Sequence, residues 1–223
     1  APFFISISNR GRVIGADVGK YTFTENGRQR TELLVKNVNI GQVENIVING
    51  IDIAEVYSGS SYGGRPRWKA FDGSQKRATS IIAGYRLPES SAVEGGLNFK
   101  LPNGQHTGYI RNISFTDVHI TDKGGNPISD TASNPPELGV GQYNVANLKV
   151  QPSYGLWARH VKGLTIKQSS FNYEKHDNRY ALYLDDVIGG NISSIKTASP
   201  ANGTEVIKLK GCTGINVQNI ARD

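Results

Sequence analysis

One stretch of this chain concentrates groups that can grip an anion. Between Tyr57 and Thr107 stand Tyr62, Arg65, Arg67, Trp68, Lys69, Phe71, Lys76, Arg77, Tyr85 and Arg86. An arginine guanidinium holds a carboxylate through two parallel hydrogen bonds. Tryptophan and tyrosine offer a flat apolar face with a polar tip, which suits the face of a sugar ring. Tyr62, Arg65, Arg67, Trp68 and Lys69 therefore form a candidate binding cluster for an acidic saccharide. An ordinary surface loop anchored by Trp68 has the same composition, and both readings stand at this point.

Proton transfer needs a second set of groups. Asp72, Glu89 and Glu94 are carboxyls of the same stretch, and no spacing sets one pair apart. A solvated loop carries such residues equally well. Histidine is the side chain that titrates near neutrality. His106 and His119 are candidates for acid–base work, although His119 lies in an alternating run that makes it the outward member of a strand. Asp72, Glu94 and His106 are the catalytic candidates this leaves. Four His and the lone Cys212 give no zinc-type spacing, and no acidic cluster has calcium-type spacing. Neither a cofactor nor a disulfide within the chain is expected.

The elements that must position these residues follow from a repeat. Tyr154–Ile166, Tyr180–Ile192 and Glu205–Val217 superpose, with Gly163, Gly189 and Gly214 at the same place, 26 and then 25 residues apart. Tyr109–Ile120 fits the second half of the unit, its Asn112 lying 51 residues before Gly163. Gln42–Ile53 fits again, with Asn45 a further 67 residues back, a gap that needs an insertion. Each unit is an alternating run, a corner at Gly or Asn, and a second alternating run. Alternation means strands with one face buried, and Ile46, Ile48, Ile51 and Ile53 fill the inward positions of one unit. Gly and Asn supply the left-handed backbone that a sharp corner needs. His160, His176, Asn112 and Asn191 fall where the repeat places corners, and Asp185-Asp186 sits at the corner that reads His160 one unit earlier.

This pattern predicts an all-β fold. It is a single right-handed parallel β-helix over 1–223, with about 25 residues per coil in the class of stacked solenoids. Loop insertions are expected near 57–107 and 122–148. An antiparallel sandwich also has short strands and frequent turns, but it does not explain a polar corner recurring at these intervals. The composition, 37% apolar and 20% charged, excludes a disordered chain. No uncharged apolar run approaches the ~18 residues of a membrane span. The net charge of +6 fits an anionic partner, while no nucleic-acid motif is present. Asn112, Asn191 and Asn202 head Asn-x-Ser/Thr triplets, which arise often by chance. The start, Ala1-Pro2-Phe3-Phe4-Ile5, reads as a strand already under way, so the chain reads as the C-terminal part of a longer protein.

Tyr154-Gly-Leu-Trp-Ala-Arg-His-Val-Lys-Gly-Leu164 follows Pro135-Pro-Glu-Leu138 and precedes Ala181-Leu-Tyr-Leu-Asp-Asp-Val187. These residues resemble the C-terminal coils of bacterial polygalacturonase-like proteins, glycoside hydrolase family 28. The resemblance covers about a third of the chain well and the rest by rhythm. It implies a right-handed parallel β-helix, secreted or periplasmic, that cleaves pectin-type acidic polysaccharide with inversion. Inversion needs one carboxyl as acid and a second to activate water. The family's Asn-x-Asp and Gly-His-Gly motifs are absent here, and the only Asp-Asp, Asp185-Asp186, is out of order. Arg67-Trp68-Lys69 matches the Arg-x-Lys form, at a frequency expected by chance. The chain is thus expected to supply part of the cleft beside an N-terminal catalytic chain or segment. A non-catalytic β-helix that binds polysaccharide or docks a partner is the alternative, and a polysaccharide lyase is the second.

Overall fold

The computed structural model describes residues 1–7, 18–25, 27–35, 43–56, 79–86, 107–136, 145–199 and 205–222. They form an all-β structure dominated by one curled parallel sheet, with no α-helix among them. Five layers stack along it. The first holds β1 (Phe4–Ser6) and β4 (Glu44–Val56), and the second β5 (Ser80–Ala83) and β8 (Ile110–Gly124). β9 (Ser153–Lys175) and β10 (Tyr180–Thr197) are continuous third and fourth layers. β11 (Ile207–Lys210) and β12 (Thr213–Arg222) make the fifth. Outside this sheet, β2 (Val18–Glu25) and β3 (Arg28–Val35) form an antiparallel hairpin. β6 (Tyr85–Arg86) and β7 (Thr107–Gly108) pair antiparallel across the ends of 87–106. Two short 3₁₀ turns, Ile128–Ala132 and Val145–Leu148, complete the described structure.

The layers bend at left-handed residues held in common register. Asn45, Asn112, Gly163, Gly189 and Gly214 have φ of 59°, 54°, 80°, 70° and 65°. The Asn112 Nδ2 donates to Asn45 Oδ1 at 3.0 Å, so the corner amides stack. Five residues further along each layer a second column bends the same way: Gly50, Asp117, Gln168, Ser194 and Asn219. A third, His160, Asp186 and Gly211, precedes the first column in the last three layers. Single left-handed residues turn a strand without ending it. β9 therefore wraps through three bends as one 23-residue strand.

Between bends the strands alternate, and the inward side chains stack in columns. Ile48, Phe115, Ile166, Ile192 and Val217 lie in register, as do Ile5, Ile82, Ala158, Leu184 and Leu209. Those of the inner layers are almost fully buried. Each buried Ile, Leu or Phe of these columns contributes about 1.5–3 kcal/mol by leaving water. The strand segments before the bends, β1, β5, the starts of β9 and β10, and β11, form a first-strand stack, and a second, smaller core lies on its outer side, where Ile81, Ala83, Leu148 and Trp157 pack together.

The structure refines three expectations. The stretch 57–107 is not only an insertion, because it supplies β5, whose Ile81 and Ile82 are fully buried. The 122–148 segment begins inside β8 and later covers Trp157 through Leu148. Asn191 is not a corner: the left-handed residue is Gly189, two positions earlier, and Asn191 keeps the ordinary strand backbone in register with Thr165 and Asn216.

Two glycines separate space from conformation. A Cβ on Gly155 would sit 2.8 Å from the Ala181 carbonyl oxygen and from the Phe171 ring. A Cβ on Gly189 meets nothing within 4 Å, but its φ is +70°. Gly155→Ala is expected to lose about 1–3 kcal/mol by overpacking. Gly189→Asn should stay within about 0.5 kcal/mol, since Asn tolerates the left-handed region. Urea unfolding of both variants measures the contrast.

Candidate functional site

The outer side of the first-strand stack gathers the groups closest to a working surface. Trp157, Tyr183 and Lys208 lie in one register row, and Arg159, Asp185 and Lys210 in the next. Parallel strands at ~4.8 Å place these side chains side by side. Trp157 is fully buried beneath Val145, Leu148 and Phe4, and the Arg159 guanidinium stands 4.8 Å over its ring. Arg159 Nε donates to Asp185 Oδ2 at 2.8 Å, and Nη2 lies 2.7 Å from the same oxygen. Its Nη1 donates to the Pro135 carbonyl at 2.7 Å and its Nη2 to Asn134 Oδ1 at 3.0 Å. This arginine is thus a clamp between two layers and the 134–135 segment.

The accessible part of this surface lies beside the clamp. Lys210 reaches Asp185 from the other side at 3.5 Å and stays half exposed. Tyr180 and Tyr183 stand with ring centroids 5.6 Å apart. Burial, then the Asp185 charge, pushes the Tyr183 hydroxyl up, so it remains a neutral donor. Lys208 pairs with Glu205 at 3.2 Å on the exposed rim. Two flat rings next to two lysines can hold an anionic sugar unit.

At the adjoining bend, Asp186 Oδ2 accepts from the Tyr109 hydroxyl and from His160 Nδ1, both at 2.7 Å. His160 is buried and its ring meets Tyr109 edge-on. β6 and β7 pair antiparallel beside this bend, where the Gly84 N–H donates to the Arg159 carbonyl at 2.9 Å. The carboxylates here are committed: Asp185 bridges Arg159 and Lys210, and Asp186 fixes His160 and Tyr109. Both carboxylates serve to hold neighbouring side chains, so the arrangement does not present two open carboxyls.

Tyr62, Arg65, Arg67, Trp68, Lys69, Asp72, Glu89, Glu94 and His106 lie outside the described residues. Tyr85 and Arg86 lie in β6. His119 is outward on β8, as its alternation requires, and hydrogen-bonds to Asp117 and Ser170. His176 follows β9 and faces the Tyr173 hydroxyl at 3.1 Å. Cys212 donates to the Leu184 and Lys210 carbonyls at 3.4 Å, and burial pushes its thiol up, away from the reactive thiolate. Among the described residues no three His, Cys, Asp or Glu side chains converge where a metal ion would sit.

Sequence reasoning passed over a buried polar cluster at the end of the second layer. Arg179 holds Asp177 with two bonds of 2.9 Å, and both side chains are buried. Arg179 Nη1 also donates to the Gln151 carbonyl and to Thr79 Oγ1, each at 3.2 Å. Asp122 is 1% exposed, and neither of its oxygens finds a donor among the described residues. Burial pushes this carboxyl well above its usual range, against the opposing pull of Arg179. The folded state therefore binds a proton that the unfolded state releases. The stability Asp122 contributes is present in acid and is lost as pH rises through its folded value. Asp122→Asn is expected to gain about 1–3 kcal/mol over the natural chain at pH 7. The gap should close toward pH 4 in urea melts taken across that range.

No protein family, no curated protein and no solved structure matches the chain.

Proposed function

We propose that this chain is a right-handed parallel β-helix of the polygalacturonase-like type, and that it contributes a binding surface for pectin-type acidic polysaccharide. The observation that carries this reading is the fate of the resembling residues. Tyr154–Leu164 and Ala181–Val187 are adjacent parallel strands, 26 residues out of phase, with Trp157, Arg159, Tyr183 and Asp185 side by side on the outer face. Strands at repeat spacing with aligned left-handed bends are what a β-helix requires. The half-buried Tyr180, Tyr183 and Lys208 and the exposed Lys210 have the chemistry to stack on a sugar ring and pair with its carboxylate.

Binding without cleavage is the second reading. The engagement of Asp185 and Asp186 favours it, because an inverting hydrolase needs one carboxyl free to donate and another free to activate water. In either case the polymer is met outside the cytoplasm, which makes a secreted or periplasmic setting part of the proposal.

Affinity electrophoresis through polygalacturonate tests the binding surface. Retardation is expected, and joint replacement of Lys208→Ala and Lys210→Ala should weaken it about five- to tenfold, the scale of two exposed charge contacts. New reducing ends without an ultraviolet-absorbing product mark hydrolysis, and an absorbing product marks a lyase. Retardation with neither product establishes the binding module. Migration unaffected by the polymer overturns the proposal.

A further inference from the structure

Away from that face, the strand segments beyond the second column of bends, the third in each layer, carry a groove of about 410 Å³. His119, Gln168, Ser169, Ser170, Asn172, Ser194 and Lys196 line it. His119, Ser170 and Lys196 are the outward residues of three successive layers at one register position. The Ser170 Oγ is 2.8 Å from His119 Nδ1, and His119 Nε2 is 3.1 Å from Asp117 Oδ1. An ionised carboxylate only accepts, so with Asp117 ionised Nε2 carries the ring proton. Nδ1 is then the acceptor for the Ser170 hydroxyl. Serine, base and orienting carboxylate stand in the order that activates a hydroxyl nucleophile.

The fold holds these three groups in place. Asp117 occupies a left-handed bend at φ 56°, and its carboxylate meets His119 two residues further along β8. Ser169, next to the serine, is buried; its Oγ donates to the Lys167 carbonyl and accepts from the Val118 N–H. These two bonds lock the bends of the second and third layers together and leave Ser170 facing outward.

We propose that Asp117, His119 and Ser170 form a nucleophilic site that hydrolyses carboxylic esters of polar alcohols, an activity separate from polysaccharide binding on the first-strand face. The Ser170 Oγ attacks the ester carbonyl carbon while its proton passes to His119 Nδ1. The bond to the alcohol oxygen breaks, and the alcohol leaves with that proton. Water, deprotonated by the same nitrogen, then attacks the acyl carbon; the bond to Ser170 Oγ breaks, Oγ takes the proton back from Nδ1, and the acid leaves. Lys196, opposite Ser170 in the next layer, supplies the positive charge facing the tetrahedral oxyanion. The polar lining of Gln168, Ser194 and Asn172 suits a hydroxyl-rich alcohol such as a sugar.

The test uses the 223-residue chain with a fluorophosphonate probe and p-nitrophenyl acetate. Peptide mass spectrometry is expected to find the phosphonate adduct on Ser170. Ester turnover should fall at least about 100-fold in Ser170→Ala and in His119→Gln, the scale of a lost nucleophile or general base. Circular dichroism checks that both variants keep their strands. A folded natural chain with no adduct at Ser170, or turnover that survives Ser170→Ala, overturns the proposal.

Discussion

The constraint on which this structure rests is the left-handed bend repeated at one register. A parallel strand can lie on its predecessor only if both turn at equivalent residues. One layer bending a position early would throw every inward side chain outward. Asn45, Asn112, Gly163, Gly189 and Gly214 meet this condition in all five layers. The interlayer hydrogen bonds and the apolar columns follow from that alignment. The bends in turn depend on the columns, because Gln168, Ser194 and His160 adopt a conformation that costs an ordinary residue roughly 1–2 kcal/mol. Burial across neighbouring layers offsets that cost.

Register also builds the polar sites. Residues 26 positions apart become neighbours, which brings Arg159 to Asp185 and His160 to Asp186. An offset of 51 brings His119 to Ser170. The two outer faces differ in what covers them. Segments 134–135 and 145–148 shield the first-strand face and turn Arg159 into a clamp, leaving the tyrosines and lysines at its rim partly open to solvent. The third-strand face carries an open groove in which the serine and histidine meet. Asp122 marks the opposite extreme, a carboxyl sealed inside the stack where burial favours its protonated form.

Much of this register was legible in the residues. Gly and Asn at one corner column announce the bend chemically, and their intervals of 67, 51, 26 and 25 residues recur as the interlayer offsets. The second column stayed hidden, because Asp117, Gln168 and Ser194 carry no common turn signal. Tertiary stacking, not local preference, sets their conformation. β5 was hidden for the opposite reason: four residues, Ser80–Ala83, are too few to show a period. The Asn26-Gly27 dipeptide was a hairpin signal between β2 and β3 that the solenoid rhythm overshadowed. Of the functional groups, the His160–Asp186 corner was visible as a coincidence of repeat positions. The Ser170–His119 pair was not, since nothing in a serine-rich strand distinguishes the serine that faces a histidine one layer back.

Paired cysteines test the stacking register most directly. With Cys212 replaced by Ala, Thr165→Cys and Asn191→Cys stand directly opposite each other on neighbouring layers. Mild oxidation is expected to join them rapidly. Thr165→Cys with Ser193→Cys, displaced by two residues along the strand, should remain as free thiols. Equal cross-linking of both pairs, or of the displaced pair alone, would contradict the register from which every site described above is built.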